Sequence, residues 1–259
     1  MLFQAKWPAP ASVKTALTTR DGGVSAAPFD SFNLASHVGD LDSCVQLNRQ
    51  RLSESLQNRA SASPKLQWLT QVHGTELVEL DCSLAEPIEA DASYTKKAGV
   101  ACVVMTADCL PLLICDKAGS QVAAVHAGWK GLADGIVSRA VAAFDAPASE
   151  LMVYLGPAIS QAAFEVGEDV RQAFENAQAQ RRFAEPIAHA FCERAKQDTS
   201  GANKFFADLY RLARSELCAL GVRQIYGGDF CTYSDKQRFF SYRRDGRCGR
   251  MASLIWLAD

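Results

Sequence analysis

The chain is short of histidine, with four in 259 residues, and short of net charge, at -2. Such a balance gives no long-range field to steer nucleic acid or an anionic membrane to the surface, and neither is expected as a partner. No apolar run approaches the ~20 residues that a bilayer-spanning helix needs. The N-terminal Met1-Leu2-Phe3-Gln4-Ala5-Lys6-Trp7-Pro8 has no charged leader followed by an apolar stretch, so no secretory signal is read there and a cytoplasmic location is expected. None of the nine cysteines forms a Cys-x-x-Cys pair. That absence excludes the usual closed zinc clip, and an odd count without a signal points to reduced thiols. Internal repeats, low-complexity tracts and composition breaks are also missing, so residues 1–259 read as a single domain.

What is present is an ordinary globular balance, 48% hydrophobic and 22% charged, in a chain long enough to bury a core without staples. Val13–Thr18 alternates and carries β-branched residues, and Asp21-Gly22-Gly23 breaks it as a turn. Leu41, Val45, Leu52 and Leu56 predict an amphipathic helix opened by Asp42 or Ser43. Short strands are predicted at Leu66–Val72, Leu77–Leu80, Val100–Thr106, Leu112–Cys115, Val122–His126 and Leu151–Leu155. Within them residues 100–105 and 122–125 are apolar on both faces, as doubly buried strands must be. Helices are expected over 132–144, 166–182 and 204–220, the last stopped by Gly221. Ile225-Tyr226, Phe239–Tyr242 and Ser253–Leu257 close the chain as strands. The order fits an α+β, mixed-sheet sandwich with helices covering sheet faces.

Three strand ends carry chemistry: Thr70-Gln71-Val72-His73-Gly74, Thr106-Ala107-Asp108-Cys109-Leu110-Pro111 and Val125-His126-Ala127-Gly128-Trp129. His73, Cys109 and His126 are the side chains that zinc takes when one coordination position stays open. Each alone has a plain alternative, a strand-end hydrogen bonder or a small buried thiol. Asp108 ends an apolar strand, where a carboxylate is costly without a partner. Asp108 and Asp91 are candidates to orient a histidine ring. A metal would hold Cys109 as thiolate and lower the pKa of a bound water to about 7. The same residues could instead serve a metal-free Cys–His hydrolase, with Cys109 as nucleophile and His73 or His126 as base. A non-catalytic binding protein with a structural metal is the third reading.

Arg20, before the Gly22-Gly23 turn, offers the fork geometry that suits phosphate. Asn33 and His37 lie just downstream. Ser241-Tyr242-Arg243-Arg244-Asp245 is a second basic spot, read as a structural ion-pair turn. Gly156-Pro157-Ala158-Ile159 and Gly227-Gly228-Asp229 are turns where backbone could approach a ligand. Cys231, after the latter, reads as a packed thiol.

The three motifs, together with Leu155-Gly156-Pro157-Ala158-Ile159 and Phe240-Ser241-Tyr242-Arg243-Arg244-Asp245, resemble the YfiH family, whose members have been called laccase-domain proteins, multicopper polyphenol oxidases and purine nucleoside phosphorylases. The resemblance runs from Thr19-Arg20-Asp21-Gly22-Gly23 to Gly249-Arg250-Met251. It implies an α/β/β/α layered fold, with His73, Cys109 and His126 as metal and catalytic triad and Arg20 as a phosphate binder near the substrate pocket. Arg20, Asn33, His37, Gln71 and Asp108 are the candidate substrate-binding residues. The implied activity is zinc-dependent phosphorolysis of adenosine, inosine and methylthioadenosine to base and ribose 1-phosphate, with adenosine deamination beside it. Purine nucleoside and phosphate would be the partners, and a monomer is expected. Copper could occupy the same site, since the affinity order favours Cu(II) over zinc. A four-copper array is another matter: His37, His73, His126 and His189 are too few for it. The family's link to peptidoglycan-precursor editing would suit the cysteine-hydrolase reading.

Overall fold

The computed structural model describes residues 2–57, 63–82, 86–180, 183–194 and 203–258. From the N-terminus, β1 (Leu2–Phe3), β2 (Val13–Thr18) and helix α1 (Asp42–Gln57) precede a run of strands. These are β3 (Lys65–Gln67), β4 (Leu69–Thr70), β5 (Leu77–Glu79), β6 (Ile88–Glu89), β7 (Ala92–Thr95), β8 (Val100–Thr106), β9 (Leu110–Asp116) and β10 (Val122–Ala127). Helices α2 (Trp129–Asp134) and α3 (Ile136–Ala142) lead to β11 (Leu151–Leu155), β12 (Glu165–Val166) and α4 (Glu168–Gln180). The chain then runs through β13 (Phe191–Glu193), β14 (Phe205–Ala207), α5 (Leu209–Ala219), β15 (Gln224–Gly227), α6 (Tyr242–Asp245) and β16 (Met251–Leu257).

Two mixed sheets form the centre. One has the order β1-β2-β16-β8-β3, the other β15-β11-β9-β10-β7-β5. Strands β8, β9, β10, β11 and β16 are buried at every residue, because each is covered on both faces. Val13, Leu17, Cys102, Val104 and Ile255 from the first sheet meet Leu113, Cys115, Val122, Ala124 and Tyr154 from the second. The outer face of the second sheet buries Leu112, Ile114, Val125 and Val153 under Leu132, Val137, Phe174 and Leu217 of α2, α3, α4 and α5. The outer face of the first buries Val103, Ala252 and Leu254 under Leu52 and Leu56 of α1. The layers are therefore helix, sheet, sheet, helix, as the resemblance implies.

Local chemistry explains the departures from the predicted elements. In α1 the buried stripe is Val45, Asn48, Leu52 and Leu56, while Leu41 lies outside it, 69% exposed. Asn48 earns its place in that stripe through its amide, which accepts from Val24 N and donates to Asn33 O. The helix expected over 132–144 starts earlier and breaks at Gly135, whose φ of 97° only glycine adopts without strain. Gly221, at φ 100°, ends α5 as expected. The helix expected from residue 204 begins at Leu209. Asp208 accepts from Arg211 N as its cap, and Phe205–Ala207 pairs instead with β12 and β13. Of the helix expected over 166–182, residues 168–180 are helical and 181–182 lie outside the described residues. Leu66–Val72 splits at Trp68 into β3 and β4, which join different sheets. Phe239–Tyr242 forms no strand: Phe239 and Phe240 are fully buried, and Ser241 caps α6 by accepting from Arg244 N. That apolar run reported burial, which a short apolar run always does, and not strand. Strand β7 carries too few bulky apolar residues to announce itself, yet it lies inside the second sheet, between β10 and β5.

Candidate metal centre

His73, Cys109 and His126 arrive from three segments that the second sheet and its neighbouring loops bring together. Their ligand atoms all lie within 4.8 Å of one another. Cys109 Sγ is 3.7 Å from His73 Nε2, and the two imidazole rings meet edge to face at 4.8 Å between centroids. A tetrahedral zinc with Zn–S of about 2.3 Å and Zn–N of about 2.1 Å separates its sulfur and nitrogen ligands by about 3.6 Å. The donor set and its spacing therefore fit one ion with an open position. Gly128 makes the space: a Cβ there would lie 2.9 Å from His73 Cδ2, 3.2 Å from Cys109 Sγ and 3.7 Å from His126 Cε1.

Asp91 organises the cluster. Its carboxylate is wholly buried and accepts from Val72 N, His73 N and Gly74 N as well as facing His126 Nδ1 at 2.7 Å. The loop that presents His73, a residue at φ 60°, is thus pinned by the same group that orients His126. With Nδ1 donating to Asp91, the lone pair of His126 Nε2 is left for the cluster. Burial opposes charge on Asp91, but the His126 ring and the loop N–H groups outweigh it and hold the carboxyl below its ordinary value. Burial likewise opposes thiolate at Cys109, and His126 and His73 overcome it, so the thiol lies below its ordinary value. All nine cysteines are free. Cys102 and Cys115 go the other way, pushed up by burial to about 12, as inert core thiols.

The cluster opens on a cavity of about 460 Å³, lined by His37, Gln71, His73, Met105, Thr106, Ala107, Cys109, His126, Tyr242 and Arg250. That size is ordinary for a small-molecule site. His37 and Gln71, two of the candidate substrate-binding residues, both line this cavity. The Gln71 amide is engaged with both N–H and C=O of Met105, so it braces the approach to His73.

The remaining candidates stand elsewhere. The Arg20 guanidinium pairs with Asp30 at 3.0 Å, donates to the carbonyls of Asp30 and Lys236, and lies over the Phe240 ring; it is not part of the cavity wall. Asn33 is fully buried, bonding Ala35, Asp40 and Arg250 N. Asp108 sits at φ 88° in the β8–β9 turn, where its carboxylate accepts from Thr232 Oγ1, Ser241 Oγ and Arg243 N. Those three bonds hold a left-handed turn that a non-glycine residue otherwise avoids. Asp108 thus fixes the direction of Cys109 and is not available to substrate. Of the two carboxylates proposed as histidine partners, Asp91 takes that place. Arg244 pairs with Asp245 at 2.7 Å, the structural turn that the sequence suggested. Cys231 meets Ser160 Oγ at 3.0 Å, away from the cavity wall.

Sequence reasoning missed Arg250 and Tyr242 as lining residues. Tyr242 stood inside a recognised motif, and Arg250 immediately precedes the last apolar strand. A lone arginine at a strand start gives no signal of what it faces.

A layered α/β/β/α fold with a His–Cys–His set opening on a small-molecule cavity defines a class of candidate single-metal enzymes. The family model described as multi-copper polyphenol oxidoreductase laccase matches residues 14–258, and the chain belongs to that family, the YfiH family of the motif resemblance. A protein of Pseudomonas aeruginosa named purine nucleoside phosphorylase is 52% identical over 253 residues, covering 98% of this chain and 97% of its own. The Escherichia coli protein named purine nucleoside phosphorylase YfiH is 44% identical over 256 residues, covering 99% and 98%. A crystal structure of a Neisseria meningitidis protein superposes with a TM-score of 0.89 at 48% identity, covering 100% of this chain and 99% of that one. YlmD of Geobacillus stearothermophilus superposes at 0.84 with 30% identity, covering 97% and 94%. No helix among the described residues is long and apolar enough to cross a membrane.

Proposed function

We propose that this chain is a zinc-dependent purine nucleoside phosphorylase acting on adenosine, inosine and methylthioadenosine. The observation that carries the reading is the three-donor His73–Cys109–His126 set at the floor of a nucleoside-sized cavity. The names of the Pseudomonas and Escherichia relatives support it. Bound at the three donors, zinc would supply Lewis acidity and an acidified water.

The chain's own residues do the rest. Asp91 keeps His126 in one tautomer and fixes the His73 loop, so the donors need little reorganisation. Met105, Ala107 and Tyr242 give the cavity apolar faces for a purine. In the reaction a hydrogen phosphate oxygen forms a bond to the anomeric carbon while the bond from that carbon to the base nitrogen breaks. The departing nitrogen keeps the electron pair and takes the proton that hydrogen phosphate brings, giving free base and ribose 1-phosphate. The cavity walls hold the two reactants together and exclude bulk water, which would otherwise compete with phosphate.

Adenosine deamination, water replacing the C6 amino group to give inosine and ammonia, is the second reading. The open three-ligand set favours it, since that is the arrangement by which zinc deaminases activate water. A metal-free Cys109 hydrolase draws support from the lowered thiol. A multicopper oxidase draws none from the donor count, because the cluster holds three ligands and His189 pairs with Glu185 on another part of the surface.

Product analysis of adenosine incubations with and without phosphate, using Cys109→Ala as control, tests the reading. Phosphate-dependent adenine release that the variant lacks is expected. Inosine without a phosphate requirement would make the deaminase reading primary, and phosphate-independent turnover of an amide or ester by metal-free protein would overturn both.

A further inference from the structure

Apart from the metal donors, the cavity wall carries two cation-capable side chains, His37 and Arg250, and no carboxylate. Seven of the fourteen described arginines, Arg20, Arg139, Arg171, Arg194, Arg211, Arg238 and Arg244, pair with a carboxylate. Arg250 pairs with none among the described residues. Its guanidinium is anchored by Nη1 alone, which donates to the carbonyls of Cys248 and Gly249 and touches Cys248 Sγ. Nε and Nη2 make no hydrogen bond to a described residue, and the Tyr242 ring lies 5.8 Å from the guanidinium carbon. The backbone is fixed too: Arg250 N donates to Asn33 Oδ1, and Leu34 N donates to Arg250 O. An arginine held rigidly at a cavity wall, half-buried and without a counterion, is an anion site with its fork unused.

His37 extends the positive wall. Partial burial first disfavours its protonated form, and Arg250, Arg49 and His73 add to that as nearby positive or cation-capable groups. An anion entering there would offset those neighbours and let the ring donate.

We infer that Arg250, with His37 beside it, holds the phosphate co-substrate in the cavity, in place of Arg20, whose fork is already occupied by Asp30. The inference rests on the phosphorolytic reading for its identification of the anion as phosphate. The placement of the cations stands without it. Asn33, suggested by the sequence as a substrate contact, acquires a positioning role here, since its side-chain oxygen fixes the Arg250 backbone.

The test is calorimetric titration of inorganic phosphate into the metal-loaded full chain without nucleoside, together with KM values for phosphate and for nucleoside. The variants are Arg250→Met, Arg250→Lys, His37→Asn and Arg20→Met, each checked for metal content and Tm. Losing the charged fork should raise the phosphate Kd and KM about 10- to 100-fold in Arg250→Met, with nucleoside KM within about twofold. Arg250→Lys should recover part of the loss, and His37→Asn should weaken phosphate several-fold. A folded, metal-loaded Arg250→Met that binds phosphate like wild type overturns the inference. So does a wild-type chain that binds none, or a loss confined to Arg20→Met. If Arg250→Met does not fold, unchanged phosphate binding in both Arg250→Lys and His37→Asn overturns it instead. Arg250-dependent phosphate binding with no base released from any nucleoside would support the subsite and remove the phosphorylase reading. Normal phosphorolysis in a folded Arg250→Met would do the reverse.

Discussion

Asp91 Oδ1 faces His126 Nδ1 at 2.7 Å and accepts from His73 N at 3.0 Å, so one buried oxygen fixes two of the three donors. Asp91→Asn keeps the shape and removes the anion. Partners behind metal ligands typically contribute 10- to 100-fold in metal affinity, so zinc affinity should fall by about that factor. Competition with a chromophoric chelator reads it. Affinity within twofold of wild type would show that Asp91 serves the loop alone.

Gly128 separates metal binding from folding. Its φ of -63° and ψ of 157° suit alanine, but the added Cβ would press on His73 and Cys109. Gly128→Ala should fold with an apo Tm within about 2–4 °C of wild type, a cost of about 1 kcal/mol or less, yet bind zinc poorly and turn over little. Full metal loading by this variant would mean that the donors do not converge as described.

Asp108→Ala removes three hydrogen bonds to a buried carboxylate while leaving φ at 88° for a residue that dislikes it. Unsatisfied Thr232, Ser241 and Arg243 N groups and the strained turn should cost about 2–4 kcal/mol of stability. Denaturant unfolding measures it. Asp108→Gly relieves the backbone strain and should recover a part.

Glu185 supplies a pH prediction away from the site. Its carboxyl is held at about 2 against an ordinary 4.5, first by the hydrogen bonds from Arg211, against a smaller burial penalty, then by His189. A depressed carboxylate contributes stability that is complete above its unfolded pKa and lost as pH falls through the folded one. Glu185→Gln should therefore lower Tm near neutral pH by about 2–4 °C, a small effect because the pair is partly exposed. The gap to wild type should close as pH drops from about 5 to about 2. A gap that stays constant across that window would show that the pair acts by packing alone.

The sheets were legible where burial on both faces produced unbroken apolar runs, as in Val100–Thr106 and Leu151–Leu155, which form strands with the expected bounds. Periodicity failed where a single residue overrode it. Gly135 cut a helix in two, Asp208 delayed another, and Trp68 divided a strand between sheets. The three clustered residues were legible as candidate donors because His and Cys at strand ends beside glycine or aspartate are few and chemically loaded. What those donors share was not legible in full. Asp91 was one of two candidate carboxylates, and only the register of β10 on β7, with His126 N donating to Asp91 O, brings it under the ring. Arg20 looked like the anion binder because it precedes a glycine turn, but a sequence does not show that Asp30, ten residues on, already occupies its fork.

The central claim is that one metal ion at His73, Cys109 and His126 supports phosphate-dependent cleavage of a purine nucleoside. The most direct measurement follows adenine release from adenosine in saturating phosphate by purified protein, then by chelator-treated protein, then after one equivalent of zinc is restored. The account predicts activity as purified, loss on chelation, and recovery that saturates at one zinc per chain. Undiminished adenine release from protein shown to contain no metal would contradict it.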